Sequence, residues 1–269
     1  RLVELDLSNT QITDEGLEPL VAMKDLEVLK LNGNYRVTGA GMDHLVPLIS
    51  LKNLSLSRTK VSDEGLSRLS GLKQLESLDL GATPITDACL RHRASMPNLT
   101  TLDLPSGVSD VGLSRLAALE NLQSLRVAGG AKITGEALAK LPQLQSLDVS
   151  VHETFDDEDL QAVGQLRELR RLSLSATKIT DAGLAHLQGL QNLQQLDLDN
   201  TAITDEGLKH LIGLNQLRSL NLGATEVTDE GVEQLKQLKS LTQLGTFSTK
   251  VTREKKQELY DFFLDRGRR

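Results

Sequence analysis

The stretch LQQLDLDNTAITDEGLKHLIGLNQ, residues 193–216, holds two rhythms. After Leu193, Leu196 and Leu198 alternate with Asp197 and Asp199, the period of two that marks a short strand with one buried face. Past Ile203 the period changes. Leu208, Leu211 and Leu214 recur every three residues and share one face of a helix. Thr204 sits at the helix start, where its hydroxyl can accept an orphan backbone N–H. Asp205 and Glu206 follow near the positive end of the helix dipole. A unit this small cannot bury its apolar face alone and needs copies of itself on either side.

The copies run through the chain. A Leu-x-x-Leu-x-Leu string restarts at Leu2, Leu26, Leu51, Leu75, Leu99, Leu122, Leu144, Leu169, Leu193, Leu217 and Leu241, spaced by 22–25 residues. That makes ten full repeats and a partial one. The cap slot reads Thr13, Thr38, Ser62, Thr86, Ser109, Thr134, Asp156, Thr180, Thr204, Thr228 and Thr252, all good helix starters. The 269 residues include 55 leucines but six aromatics and no tryptophan, so leucine fills the core. Stacked strands stand about 4.8 Å apart and packed helices about 8–10 Å. The stack is therefore expected to bend, with parallel strands on a concave face and helices on a convex one: an α/β solenoid. Residues 1–252 form it, and 253–269 are expected to be a C-terminal capping helix whose apolar face is Leu259, Phe262 and Phe263. At the other end Leu2 opens a repeat directly after Arg1, so the reading expects a missing N-terminal cap and a fragment or processed product.

Composition narrows function. Thirty Lys and Arg against 37 Asp and Glu give a net charge of −7, which argues against a nucleic-acid groove or an anionic membrane surface. No apolar run is long enough to span a bilayer. A single cysteine, Cys89, excludes an intrachain disulfide and a cysteine-rich metal site. No phosphate loop, dinucleotide fingerprint, G-x-S-x-G or H-E-x-x-H occurs, so no catalytic residue, cofactor or metal is expected. Of the five histidines, His44, His92, His152, His186 and His210, three align by repeat symmetry rather than as a metal pair.

The repeat resembles the leucine-rich repeat family, most nearly the short bacterial subclass, known notably from planctomycetes, with I-T-D-x-G-L at the helix start. It is also similar to the longer cysteine-containing repeats of F-box substrate receptors. Those carry Cys where this chain has Thr10, Thr59, Thr83, Thr177, Thr201, Thr225 and Thr249. The resemblance covers about residues 1–252. It implies a right-handed horseshoe solenoid used for protein recognition, with no enzymatic activity.

The strand residues between the leucines are the natural contact surface. The central outward row runs Asp6, Lys30, Ser55, Asp79, Asp103, Arg126, Asp148, Ser173, Asp197, Asn221 and Gly245. From it and the flanking rows, Asp79, Asp103, Arg126, Asp148, Arg171, Asp197 and Phe247 are the candidate partner contacts, with the aspartates steering a basic partner. Two neighbouring carboxylates are too few to hold a hard cation. Departures from the repeat cluster in repeats 4 to 7. In repeat 4, Ala88 is read in the glycine slot with Cys89 following, and Arg93 stands where other repeats carry leucine. Repeat 6 has a longer loop, Gly129 to Lys132, and lacks nearly a helical turn. In repeat 7, Phe155 is expected in the core and His152 at an exposed rim, as a further partner contact. The glycines of T-D-x-G-L are expected to let helix and strand approach closely.

The reading that follows is a non-catalytic protein-interaction scaffold, in the cytoplasm or cell envelope of a bacterium, with an unidentified protein partner. Two others stay open: the recognition arm of a larger enzyme, such as a ubiquitin-ligase-like effector or a kinase, and a structural envelope module.

Overall fold

The computed structural model describes residues 2–90, 96–130 and 133–267. His92, Arg93 and Lys132 lie outside them. The chain forms two compact units, residues 1–133 and 134–269. In the first, six strands lie parallel in sequence order: β1 (Glu4–Asp6), β2 (Val28–Lys30), β3 (Asn53–Ser55), β4 (Ser77–Asp79), β5 (Thr101–Leu104) and β6 (Ser124–Val127). In the second, five do the same: β7 (Ser146–Asp148), β8 (Arg171–Ser173), β9 (Gln195–Asp197), β10 (Ser219–Asn221) and β11 (Gln243–Gly245). Register is set leucine on leucine. Leu5, Leu29, Leu54, Leu78, Leu102 and Leu125 align in one unit, and Leu147, Leu172, Leu196, Leu220 and Leu244 in the other. From Leu29 to Leu220 these central leucines are all buried. A slip by one residue would turn every one of them to solvent.

The return segments are short helices. The first unit has α1 (Asp63–Arg68) and α2 (Asp110–Leu116). The second has α3 (Gly135–Leu138), α4 (Asp157–Val163), α5 (Asp181–Leu184), α6 (Asp205–Leu208), α7 (Asp229–Gln234) and α8 (Arg253–Gly267). After α5 and α6 the helix tightens into 3₁₀ turns over Ala185–Gly189 and Lys209–Leu211. No such turn follows α3, which is the shortening expected in repeat 6. Repeats 1 and 2 depart from the expected α-helix. Glu15–Ala22 and Ala40–Leu45 are 3₁₀ throughout. Pro19 removes a donor from the first, and Gly39 and Gly41 weaken the second.

Adjacent repeats are tied together by a pair the sequence reading treated as local to each helix. In most repeats the aspartate after the cap residue reaches the cap of the following repeat. Asp157 Oδ1 accepts the Thr180 N–H at 2.9 Å while Oδ2 accepts its hydroxyl at 2.6 Å. The same clamp joins Asp14 to Thr38, Asp63 to Thr86 and Asp87 to Ser109 in the first unit. It joins Asp181 to Thr204, Asp205 to Thr228 and Asp229 to Thr252 in the second. Bonds to an ionised carboxylate are the strong kind, worth roughly 1.5–3 kcal/mol net. The cap hydroxyl still accepts from its own helix, as Thr204 does from the Glu206 N–H.

The clamp explains the glycines, and the expectation that they bring helix and strand together is corrected. A Cβ at Gly41, Gly112, Gly183, Gly207 or Gly231 would lie 2.0–2.4 Å from the clamping oxygen of the preceding repeat's aspartate. Glycine makes room for that carboxylate. In repeat 4 the slot belongs to Cys89, not Ala88: Cys89 N–H donates to the Thr86 carbonyl as Gly183 N–H does to that of Thr180. Cys89 and Leu90 take 3₁₀ rather than α-helical conformation there. Burial, then the carboxylates of Asp63 and Asp87, push its thiol up to about 12, so it stays protonated and inert.

A threonine ends the turn after the strand in most repeats. Thr59, Thr83, Thr177, Thr201 and Thr225 are buried, and each hydroxyl donates to the carbonyl three residues back at 2.6–2.7 Å. The residue before each takes a left-handed conformation, as Arg58, Ala82, Ala176, Asn200 and Ala224 do. In repeat 7 that residue is Val151, with φ at +65°. A β-branched side chain is strained there.

Two outcomes are expected. Asp157→Ala should cost about 1.5–3 kcal/mol of unfolding free energy, and Gly183→Ala should also destabilise. The double variant should lose clearly less than the sum, because removing the carboxylate frees the space the new methyl needs. Urea titration of the four proteins tests this, and strict additivity would refute the clamp's claim on the glycine. Val151→Gly should stabilise by about 1 kcal/mol, read as a rise in the urea midpoint.

Candidate functional site

With the leucines turned inward, the residues between them hold fixed outward seats about 4.8 Å apart. In the first unit Asp79, Asp103 and Arg126 stand side by side on β4, β5 and β6. In the second, Asp148, Ser173, Asp197, Asn221 and Gly245 form the same row across β7 to β11. Arg171 begins β8 in the row before, between Ser146 and Gln195.

The row's acidic members are anchored to their own chain. Asp79 Oδ1 accepts the N–H of Gly81 at 2.9 Å, Asp148 Oδ1 that of Ser150 at 2.9 Å, and Asp197 Oδ1 that of Asp199 at 3.1 Å. Asp6 and Asn221 do the same for Ser8 and Gly223. These side chains mimic a backbone turn and end the strand. The hydrogen bonds from Ser8, its side chain first and then its backbone N–H, hold the Asp6 carboxyl below its usual range. The Ser55 hydroxyl donates to Asp79 Oδ2 at 2.6 Å, and the Asn221 amide donates to Asp197 Oδ1 at 2.9 Å. The expected acidic stripe is therefore a fixed array, with its carboxylates held in place by turns and neighbours. Arg171 is exposed and donates from Nε to Ser146 Oγ at 3.3 Å.

His152 is corrected. It is 1% exposed, not a rim contact. It occupies the threonine slot of repeat 7, and its Nδ1 lies 2.9 Å from the Val149 carbonyl, three residues back. The slot demands a group that reaches that carbonyl; Asn34 supplies it in repeat 2, donating to Leu31 at 2.9 Å. Phe155 is fully buried, as expected. The acidic run of repeat 7 is structural too. Asp156 caps α4, Asp157 clamps Thr180, and Asp159 accepts the Gly135 N–H at 2.8 Å.

The second unit ends in a groove. Its floor is β10 and β11, and its wall is one face of α8, with Lys256, Leu259, Tyr260 and Phe263 lining it. Its volume is about 780 Å³. Phe247, the seventh of the expected contacts, follows β11 and is 82% exposed. Lys256 and Tyr260 were not among the expected contacts. Their signal was the four-residue spacing along α8, hidden behind its apolar residues. Of those, Leu259 and Phe263 are buried, whereas Phe262 is partly exposed. The Phe262 ring carries the Arg266 guanidinium at 4.6 Å and the Lys236 ammonium at 5.3 Å.

An ion network fastens α8 to α7. Lys255 reaches Glu233 at 2.7 Å and Glu258 at 2.8 Å, and Lys236 reaches the same two carboxylates. Hydrogen bonds from Lys236 and Lys255 lower the Glu258 carboxyl from 4.5 to about 2, and hydrogen bonds to Glu233 and then Glu258 raise Lys255.

Comparison with known proteins agrees with this architecture. One leucine-rich-repeat family model matches residues 167–227, and a second matches residues 2–21 and 48–70. Among solved structures, an internalin (inlF) from Listeria monocytogenes superimposes with a TM-score of 0.53 at 22% identity, covering 90% of this chain and 84% of its own. An internalin C2 (inlC2) from the same organism gives 0.55 at 26% identity, covering 78% and 84%. No curated protein matches significantly. The fold is an α/β solenoid of leucine-rich repeats.

The network has a pH signature. A carboxyl lowered in the folded state stabilises above its free value and loses that contribution as pH falls. Docking of α8 should therefore weaken as pH drops from about 4.5 toward about 2. Amide exchange in residues 253–263 should accelerate over that window before exchange in α5 and α6 does. Equal acceleration in all three would refute the network's role.

Proposed function

We propose that the chain is a non-catalytic protein-interaction scaffold that presents its outward strand face to a protein partner. The observation that carries the reading is the in-register row: a buried leucine ladder holds polar side chains at fixed intervals, so a partner meets a surface ordered in advance. Leucine-rich-repeat models and internalin-like neighbours support the same class of role. The contacts with reach are Arg126, Arg171 and Phe247. Asp79, Asp103, Asp148 and Asp197 supply a fixed negative field that orients a basic surface. No reaction, cofactor or metal enters the reading. Threonine in the slot whose side chain donates to a backbone carbonyl, with the I-T-D-x-G-L helix start, supports assignment to the short bacterial subclass.

Affinity capture from the source organism's lysate, with cross-links mapped by mass spectrometry, tests the reading. The expected result is a saturable protein partner cross-linked to Lys30 on the strand face. Its capture should fall about tenfold in Arg126→Glu and Arg171→Glu while thermal unfolding is unchanged. Capture that both charge reversals leave intact, with cross-links confined to Lys178 and Lys209 away from the strands, would overturn it.

A further inference from the structure

The groove at the end of the second unit differs from the rest of the strand face in three ways. The outward row loses its side chain at Gly245, after Asp148, Ser173, Asp197 and Asn221. That glycine is enforced, since a Cβ there would lie 2.6 Å from Asn221 Oδ1. The floor is thus open to the backbone where α8 rises beside it. The wall carries Tyr260, 62% exposed, in a chain with only two tyrosines. It also carries a cation without a counterion among the described residues. Lys236, Lys250 and Lys255 are each committed to glutamates. Lys256, one residue on, forms no ion pair among the described residues and lines the groove.

These features select an occupant. An unpaired ammonium beside a low floor takes a carboxylate. An exposed tyrosine ring takes an apolar side chain laid across it, and tyrosine is among the residue types that dominate interfaces. A volume of about 780 Å³ in an open trough accommodates several residues of extended chain. The polar side chains of Gln243 on the last strand and Thr246 just after it offer hydrogen bonds to a peptide backbone.

We infer that this groove is the anchor site for an extended segment of a protein partner that carries an acidic residue next to an aromatic or long aliphatic one. The carboxylate pairs with Lys256, and the apolar side chain lies between Tyr260 and the Gly245 floor. The inference rests on the scaffold reading and adds the chemistry of what is bound and where.

A phage library of random linear peptides, panned on the full chain, supplies the probes. Enriched peptides are then synthesised and their affinities measured by fluorescence anisotropy. The expected consensus places Asp or Glu beside an aromatic or leucine. Affinity should fall about tenfold or more in Tyr260→Ala. Lys256→Glu should do the same and, when panned in turn, should enrich Lys or Arg in place of the acidic residue. Unchanged thermal unfolding shows that the α8 variants remain folded, and Lys256→Gln provides a milder loss without charge repulsion. Enriched peptides with no acidic residue, or affinities that both α8 variants leave within about twofold, overturn the inference. If such peptides are weakened by Arg171→Glu instead, the groove fails and the scaffold reading stands. If neither the α8 variants nor the strand-face reversals weaken any binder, both fail.

Discussion

In most repeats one carboxylate holds the next repeat in place. Burial of leucine is non-directional and would tolerate many stackings, and each repeat has only its neighbours to fix it. The aspartate after the cap residue supplies direction. With two oxygens it captures both the N–H and the hydroxyl of the following cap, as Asp181 does with Thr204. At Gly41, Gly112, Gly183, Gly207 and Gly231, three residues past the cap, glycine leaves the carboxylate that space, whereas Cys89 and Lys255 hold the slot beside intact clamps. Threonine, aspartate and glycine in T-D-x-G are thus one interaction written across two repeats. The two repeats that lack the aspartate bear this out. Gly39 replaces it in repeat 2, and a Cβ on the following Gly65 would lie 2.4 Å from the Gly39 Cα, so the two backbones close up instead. Gly135 replaces it in repeat 6. There the following glycine slot is free to hold Asp159, which binds the Gly135 N–H in the reverse direction.

The same economy governs the strand face. A residue that looks available on a pattern of alternating leucines is often already engaged. Asp79, Asp148 and Asp197 end their strands by accepting a backbone N–H two residues on. A partner that needed those carboxylates to swing toward it would have to break the turn. Recognition therefore falls to side chains that the fold does not employ. Phe247 qualifies on the strand side, Lys256 and Tyr260 qualify on α8, and Arg171, held only by one long bond to Ser146, is available beside them.

Period and composition made the architecture legible. Strand positions, the leucine ladder and the C-terminal helix all follow from spacing, because each is a local pattern repeated many times. Relations between repeats were harder to read. The role of Asp157 is invisible in its own repeat and appears only when Thr180 and Gly183 of the next are set beside it. His152 was misplaced for a similar reason. Taken as a loop residue it looks exposed, but counted from Val149 it falls in the slot of Thr177 counted from Leu174, and is buried like it. The groove was missed because Gly245 and Tyr260 lie fifteen residues apart, and only the packing of α8 on β11 brings them together.

The second unit divides its labour along its length. Its first repeats collect the irregularities: α3 without a 3₁₀ extension, Gly135 in place of a clamping aspartate, the strained Val151, and His152 with Nε2 unpartnered among the described residues. From Asp157 onward the clamp is unbroken through Thr252, the cap of α8. In a stack whose stability is a sum of neighbour terms, opening begins where those terms are weakest. That leaves the region from β8 to α8 as the rigid part. A groove that must hold an extended peptide gains most from a wall that does not move, since ordering on binding subtracts from affinity. The run of clamps reaches α8 through Asp229 and Thr252, and the Lys236–Glu233–Lys255–Glu258 network fastens the same helix from α7. Tyr260 and Lys256 are carried on a helix fastened by both a clamp and an ion network, which is where a binding wall should stand.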